Sequence, residues 1–249
     1  PIILFTACTK LPTPQEREQA NLSLVDFTKY TKEIIKTKDF KLFTLQRKRL
    51  NQCKTIDLYI EGDGLAWQTR TRISSNPTPI NPVALKLMLK DNASCSVYLA
   101  RPFQYVPSTY EGSRYWTSHR YSKVVVDNSS EVLTQLKNRY NNQEFKLIGH
   151  SGGGTIALLL AVARNDIKEV VTYGGNINTE KTTQIHNATP LTDSLNPAEY
   201  AQKLQSIKQH HIIGNRDSVI PLEVYQSYII RFKNKENISY EIVDKNHWF

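Results

Sequence analysis

The stretch that decides the fold reads Phe145-Lys-Leu-Ile-Gly149-His150-Ser151-Gly152-Gly153-Gly154, and the apolar run 155–163 follows it without a break. A β-prone segment, a G-x-S-x-G turn and a helix-forming segment in this order predict a strand, a tight turn and a helix. Small residues flank the serine because such a turn strains the serine backbone and brings neighbouring segments close. The pattern favours an exposed, nucleophilic Ser151 over the plainer alternative, a glycine-rich turn that only caps a helix.

Two residues downstream of the serine complete a candidate catalytic set. A serine hydroxyl needs an imidazole to take its proton, and the imidazole needs a carboxylate to fix its tautomer. Asp217 follows the predicted strand 210–214 and His247 follows the predicted strand 239–243, in the Ser, acid, His order that goes with such a turn. We therefore predict Ser151 as nucleophile, Asp217 as acid and His247 as base. The weaker candidates are His119, Asp193 and Asp244.

Backbone N–H groups should hold the negative oxygen of a tetrahedral intermediate. Gly152, directly after the nucleophile, is one predicted donor. The other is expected from the turn Glu61-Gly-Asp-Gly64 after the strand 56–60, where Asp63 or Gly64 donates. An anionic side chain beside this oxygen is unfavourable, so we expect the Asp63 carboxylate to point away into a loop-stabilising salt bridge. The candidate partners are Arg101, Arg114 and Arg120.

Strand and helix patterns alternate from about residue 50 onward. Short β-rich runs occur at residues 56–60, 96–100, 145–149, 169–173, 210–214 and 239–243. Helical patterns occur at 82–90, 123–140, 152–164, 197–207 and 221–233. The alternation predicts an α/β fold, with a mostly parallel central sheet flanked by helices on both faces and ligands beyond the carboxyl ends of the strands. The short spacing between Ser151 and Asp217 leaves no room for a large lid domain.

The first fifty residues follow a different pattern. Thr13-Pro14-Gln15-Glu16 is a capping box with proline at the first helical position, which predicts a peripheral helix over 14–27. Two alternating runs, 32–37 and 40–47, predict a hairpin. We therefore assign residues 13–249 to a single domain and residues 1–12 to a signal remnant or flexible tail.

Size and composition exclude several classes of protein. The chain has 249 residues, 39% of them hydrophobic, and its apolar run 156–163 is far too short to span a membrane. The formal charge of +9 invites a nucleic-acid reading. However, the densest basic cluster, residues 41–54, alternates with apolar residues and lacks the aromatic pattern of an RNA- or DNA-binding module. We interpret it as a solvated strand face and predict no nucleic-acid partner.

The three cysteines fit neither a zinc site nor a CxxC redox site, because Cys8, Cys53 and Cys95 are far apart in the sequence. No metal and no cofactor is therefore predicted. Cys8 ends an apolar segment that is similar to the tail of a bacterial lipoprotein signal, with Phe5 where leucine is usual. The alternative is an ordinary edge strand or tail. The signal predicts a periplasmic or lipid-anchored location in a bacterial envelope, with Cys8 as the tether, and we expect a monomer.

The segment 101–121 carries a quarter of the aromatic residues of the chain. Because it follows a sheet strand, we predict that it forms a wall of the substrate pocket, against the alternative of a self-packed surface loop. The pocket residues expected from it are Tyr105, Tyr115, Trp116 and His119. The stretch 174–196 is expected to form the other rim. Without a large lid domain the site should be open, which favours small or extended substrates.

Several motifs together resemble one group of proteins. They are Tyr59-Ile-Glu-Gly-Asp-Gly-Leu-Ala-Trp67, Asn76-Pro-Thr-Pro-Ile-Asn-Pro82, Tyr98-Leu-Ala-Arg-Pro102, Arg114-Tyr-Trp-Thr-Ser-His-Arg120, Gly149-His-Ser-Gly-Gly-Gly154, Ser194-Leu-Asn-Pro197 and His247-Trp248. With these motifs the chain resembles serine α/β-hydrolases, and more narrowly a family of bacterial lipoprotein or periplasmic α/β-hydrolases. The resemblance implies this fold, the Ser151, Asp217 and His247 assignment and an export signal. Phe103 departs from the pattern, since relatives often carry cysteine there.

In the strand order of these hydrolases, Cys53 and Cys95 precede two parallel neighbours, so a disulfide between them is feasible, the alternative being two free thiols. As function we expect a carboxylesterase-like serine hydrolase acting on a small-molecule ester, thioester or other acyl substrate. Two alternatives remain: a peptidase or amidase on the same fold, and a degenerate hydrolase that serves as an envelope binding protein.

Overall fold

The computed structural model describes residues 11–109 and 111–249. Cys8 lies outside this part of the chain, as do nearly all of the proposed tail and Tyr110 of the aromatic segment, so the lipid anchor and the envelope location stay predictions. Among the described residues, no helix combines the length and the hydropathy needed to cross a bilayer.

The described part of the chain forms one sheet of eight strands in the order β1-β2-β4-β3-β5-β6-β7-β8. Its strands are β1 (Tyr30–Lys36), β2 (Lys41–Arg47), β3 (Thr55–Ile60), β4 (Ser96–Leu99), β5 (Glu144–His150), β6 (Ile167–Tyr173), β7 (Lys208–Gly214) and β8 (Ile238–Val243). The hairpin β1–β2 is antiparallel and joins β4 in antiparallel fashion, whereas all pairs from β4 to β8 are parallel. The predicted mostly parallel sheet is confirmed, and every predicted strand of its parallel part is present within two residues of its expected bounds.

Seven α-helices accompany these strands in the described residues, and the first of them precedes β1. They are α1 (Pro14–Leu22), α2 (Val83–Asp91), α3 (Lys123–Tyr140), α4 (Gly152–Ala163), α5 (Thr179–Ile185), α6 (Ala201–Leu204) and α7 (Leu222–Ile229). The capping box of α1 is present, but the helix ends five residues before its predicted end. The predicted helix 197–207 is a 3₁₀ turn followed by the short α6. α5 falls in the stretch that we expected to be a rim loop.

The core has two layers, one on each face of the sheet. The alternation of β3 places Ile56, Leu58 and Ile60 in the layer under α3, α4 and α7, and Tyr59 in the layer under α2. α4 is apolar on all sides and is buried almost throughout, as expected for a helix enclosed by other elements. The turn that carries Ser151 is therefore held between two buried elements, β5 and α4.

Cys53 and Cys95 form the disulfide that the sequence made feasible, with their Cα atoms 5.8 Å apart. Cys53 precedes β3 and Cys95 precedes β4, so the bond ties the amino ends of two parallel neighbours. It lies at the sheet edge opposite to the one where the loops after β3, β5, β7 and β8 meet.

Candidate active site

Ser151 occupies the turn between β5 and α4 in a strained backbone conformation, with φ 51° and ψ −119°. The flanking glycines are required by close approach of the backbone. A Cβ on Gly153 would lie 2.1 Å from the carbonyl oxygen of Ile60, and one on Gly149 would lie 2.4 Å from the backbone of Gly153. The predicted strand, turn and helix are all present, and the turn lifts the serine above the carboxyl edge of the sheet.

The predicted acid and base meet in the structure. His247 Nδ1 lies 2.8 Å from Asp217 Oδ2, and both side chains are buried. The other oxygen of Asp217 accepts the backbone N–H groups of Val219 and Ile220, each at 2.8 Å. Because a carboxylate only accepts, His247 carries its proton on Nδ1, which leaves Nε2 as an acceptor. Ser151 and His247 line the same cavity.

His150, the variable residue of the turn, supports the loop that carries His247. Its Nε2 donates to the carbonyl oxygen of His247 at 2.8 Å, and its ring lies 4.8 Å from the His247 ring, centroid to centroid. Burial lowers the pKa of His150 to about 3, with the nearby His247 as a further cause. A neutral His150 therefore ties the nucleophile turn directly to the His247 loop.

The predicted oxyanion donors lie around the serine. Gly152 is the first residue of α4, so its N–H has no partner within the helix and sits at the positive end of the helix dipole. Gly62, Asp63 and Gly64 all line the cavity of Ser151. The N–H of Gly62 donates to the Glu61 carboxylate at 2.9 Å, so the N–H groups of the next two residues remain the candidate donors.

Glu61 anchors this loop from below. Its carboxyl group accepts N–H groups from Gly62 and, at 3.4 and 3.5 Å, from Ala84 and Leu85 in the first turn of α2. Tyr98 adds its hydroxyl at 3.1 Å. Burial raises the pKa of Glu61 to about 7, although these hydrogen bonds act in the opposite direction. The position of the loop is thus tied to a carboxyl group that titrates near neutrality.

Asp63 pairs with two of the three expected arginines. Arg101 Nη1 lies 3.2 Å from Oδ1, Arg120 Nη1 lies 3.4 Å from Oδ2, and the Tyr121 hydroxyl donates to Oδ2 at 2.7 Å. The carboxylate nevertheless does not point away from the turn, because a Cβ on Gly152 would lie 2.1 Å from Asp63 Oδ1. The third arginine, Arg114, instead contacts the ring and hydroxyl of Tyr115. The paired charges of the arginines explain why the carboxylate is tolerated here.

The cavity at Ser151 has a volume of about 600 Å³, within the usual range for small-molecule sites. Its walls are largely apolar: Leu65, Ala66, Trp67, Pro79, Ile80, Val219 and Trp248. Arg120, Glu61 and Asp63 supply the charged side chains of the lining. Trp67, Ile80, Val219 and Trp248 are also exposed, so the opening is rimmed by large apolar side chains.

The predicted aromatic wall is wrong, because its residues pack elsewhere. Tyr105 is buried against Phe43, and its hydroxyl accepts from Asn21 at 3.1 Å. Tyr115 and Trp116 pack around Phe103. His119 faces Ser118 and, at 3.8 Å, Asp193. The self-packed alternative holds for the described residues of this segment. Among residues 101–109 and 111–121 only Arg120 appears in the cavity lining, and the stretch 174–196 contributes none.

The residues that line the walls of the cavity were harder to predict from the sequence than the aromatic segment 101–121 suggested. Trp67 comes directly after the oxyanion loop and Trp248 directly after the base, so adjacency along the chain would have been a better guide than aromatic density. Ile80 lies in a proline-rich loop that nothing in its own pattern places near β3.

Known proteins share sequence features and the overall fold with this chain. The profile of the lipase (class 3) family matches residues 88–224, which include Ser151 and Asp217 and end before His247. A search of curated proteins gives no match. An esterase from Pyrococcus furiosus superimposes with a TM-score of 0.60 at 19% identity, over 96% of this chain and 88% of the esterase. An alpha-beta serine hydrolase homologue from Coxiella burnetii gives 0.58 at 14% identity, over 88% and 89%. The chain therefore has the α/β-hydrolase fold.

Proposed function

Because the chain belongs to the class 3 lipase family, we propose that it is a serine hydrolase that cleaves carboxylic esters or thioesters through an acyl-enzyme on Ser151. The observation that carries the proposal is the 2.8 Å contact between His247 Nδ1 and Asp217, with His247 and Ser151 lining one cavity. A hydrolase of the lipase and esterase type is supported by the family, and the roles of individual residues are ours.

In the first half of the reaction His247 Nε2 takes the proton of Ser151 as Oγ attacks the carbonyl carbon. The carbonyl oxygen becomes negative and accepts from the N–H of Gly152 and from that of Asp63 or Gly64. Collapse of this intermediate breaks the bond to the leaving oxygen or sulfur, which takes the proton from His247. The acyl group stays on Ser151 as an ester.

In the second half a water molecule attacks the acyl-enzyme. His247 removes a proton from the water, and the new tetrahedral oxygen occupies the same N–H donors. When this intermediate collapses, Ser151 Oγ leaves and takes the proton back from His247, which releases a carboxylic acid. Asp217 stays ionised throughout and stabilises the transient imidazolium.

A fluorophosphonate probe tests the role of the nucleophile, since it reacts with an activated serine. We expect labelling of the wild-type protein and loss of labelling in Ser151→Ala, together with a fall of about 10⁴-fold or more in ester hydrolysis. Ser118→Ala is the matched control, because Ser118 lies beside His119 away from the cavity lining. It should label as the wild type does.

Absence of labelling in a correctly folded wild-type protein would contradict the proposal and favour the degenerate, binding-only alternative. Matched ester and amide substrates with one acyl group separate the remaining alternatives. Higher kcat/KM on the ester supports an esterase, whereas higher kcat/KM on the amide supports a peptidase or amidase.

A further inference from the structure

We propose that Arg120 binds a carboxylate carried by the acyl part of the substrate, so that the enzyme prefers esters of dicarboxylic acids over neutral esters. The inference rests on the proposed function, because it concerns the substrate of the same site. It starts from the charges in the lining of the cavity, which neither the family nor the catalytic set explains.

Arg120 is a cation of the cavity that the protein itself does not fully satisfy. Its guanidinium lines the cavity of Ser151 and its side chain is 20% exposed. Among residues 11–109 and 111–249, its one ion pair is with Asp63 Oδ2 at 3.4 Å, and its Nε has no hydrogen-bond partner. Arginine offers five N–H donors in a planar fork that fits a carboxylate. Because Nε is buried, the Nη groups are the donors of Arg120 that are left for a ligand.

The local charge is positive because two arginines share one carboxylate. Arg101 is buried and also pairs with Asp63, at 3.2 Å, and it donates a further hydrogen bond to the carbonyl oxygen of Arg120. Tyr121 stays neutral, since burial, followed by the charge of Asp63, raises the pKa of its hydroxyl. Glu61, the other acid of the lining, is engaged by backbone N–H groups and by Tyr98. Among the described residues of the lining, the single Asp63 carboxylate therefore cannot neutralise both arginines, which leaves a net positive charge beside Arg120.

The position of Arg120 fixes where the substrate anion must lie. Asp63 Oδ1 fills the space that a Cβ on Gly152 would occupy, and Oδ2 faces Arg120, so a single carboxylate separates the arginine from a predicted oxyanion donor. A carboxylate bound to Arg120 would then be only a few bonds from the scissile carbonyl. Such a distance fits a short acyl chain that ends in a carboxylate, with the alcohol part against the apolar walls.

Arg120 is suited to binding an anion because most of the cavity wall is apolar. Charge-assisted contacts are stronger beside apolar walls than in bulk water, and a bidentate contact discriminates between an anion and a neutral isostere. Tenfold or greater discrimination is within the usual range for such a contact.

The test compares two esters of nearly equal shape in a pH-stat at constant ionic strength. Monoethyl succinate carries the carboxylate, and ethyl 4-methylpentanoate replaces it with an isopropyl group. We expect the wild-type kcat/KM to favour monoethyl succinate at least tenfold, chiefly through KM. In Arg120→Gln this preference should fall at least tenfold, and Arg120→Lys should restore part of it. Arg114→Gln, which removes a charge from Tyr115 away from the lining, should keep the wild-type preference.

Equal rates on both esters in the wild type would overturn the inference and leave the proposed function intact. An equal loss on both esters in Arg120→Gln would also overturn it, because the arginine would then act only by holding the oxyanion loop. If Arg120→Gln fails to fold, Arg120→Lys still tests the inference. Lysine keeps the positive charge but lacks the planar guanidinium, so the preference for monoethyl succinate should still fall.

A binding measurement separates this inference from the catalytic proposal. Calorimetry with Ser151→Ala should detect monoethyl succinate binding, and the added change Arg120→Gln should weaken that binding at least tenfold. Binding of this kind in a protein that hydrolyses neither ester would support the anion site while contradicting the proposed function. No binding of monoethyl succinate by folded Ser151→Ala would overturn the anion site, whatever the neutral ester shows.

Discussion

Glu61 connects the protonation state of one buried carboxyl group to the stability of the fold. An unfolded glutamate titrates near 4.5, whereas burial raises the pKa of Glu61 in the folded protein to about 7. Between these values the folded state binds more protons than the unfolded state, so the contribution of Glu61 to stability is complete below about pH 4.5. That contribution is lost as the pH rises through 7.

The variant Glu61→Gln isolates this effect, because the amide keeps the shape but does not titrate. We expect the free energy of unfolding of the wild type, relative to Glu61→Gln, to fall by up to about 3 kcal/mol between pH 4.5 and 8. Urea unfolding of both proteins across this range measures it. Burial lowers the pKa values of His150 and His211 to about 3, and these groups give the opposite slope in both proteins, so they cancel in the difference. Parallel curves for the two proteins would contradict the assignment to Glu61.

Single residues of the site differ in how well the sequence predicts them. The meeting of Asp217 and His247 was predictable because each follows a strand whose end must lie at one edge of the sheet, and the roles that we propose for them rest on chain order. Arg120 was named only as a partner of Asp63, since its charge balance depends on which side chains fold around it. Tyr105 and Trp116 were misplaced because aromatic density signals burial as readily as it signals a binding wall.

At the scale of secondary-structure elements, the contact between α4 and β3 controls the geometry of the nucleophile turn. A Cβ on Gly153 would lie 2.1 Å from the carbonyl oxygen of Ile60, a backbone atom that cannot rotate away. We expect Gly153→Ala to lower the free energy of unfolding by about 1–3 kcal/mol, because it forces the helix off the strand. Chemical denaturation measures the change.

Gly154→Ala is the matched control for this contact. It adds the same methyl group to the same helix, where the nearest atom, the Cα of Gly175, would lie 3.1 Å away. Alanine also favours the helix intrinsically, by about 1 kcal/mol over glycine. The cost should therefore be clearly smaller than for Gly153→Ala, and equal costs would show that the approach to β3 is not the cause.

Elements with a strong periodic pattern were predicted well, and weakly patterned ones were not. α3 has its predicted bounds, because an apolar stripe runs along its whole length. α5 was missed because its sequence, Thr-Glu-Lys-Thr-Thr-Gln-Ile, is rich in a residue of low helix propensity. Its helix starts at the Asn178 cap, whose side chain accepts from the Lys181 N–H at 3.3 Å, and such a local signal is weak without the fold around it.

At the scale of the whole molecule, the candidate active site and the disulfide lie at opposite ends of the parallel strands. The loops that carry Ser151, Asp217 and His247 all follow the carboxyl ends of parallel strands, where open α/β sheets bind their ligands. The Cys53–Cys95 bond braces the amino ends of β3 and β4. Stability gained from the bond should thus be separable from activity.

The disulfide closes a loop of 42 residues, which in the chain-entropy account corresponds to about 4 kcal/mol of stability. We expect reduction to lower the free energy of unfolding by about 3–4 kcal/mol while ester hydrolysis by the folded protein stays within about twofold. Urea unfolding with and without a phosphine reductant measures the first quantity, and initial rates in native buffer measure the second. The double variant Cys53→Ser, Cys95→Ser is the control, since the reductant must leave its stability unchanged. If reduction abolished hydrolysis in a protein that remained folded, the amino edge of the sheet would have to transmit strain to the catalytic loops, and the separation of bracing from chemistry would be wrong.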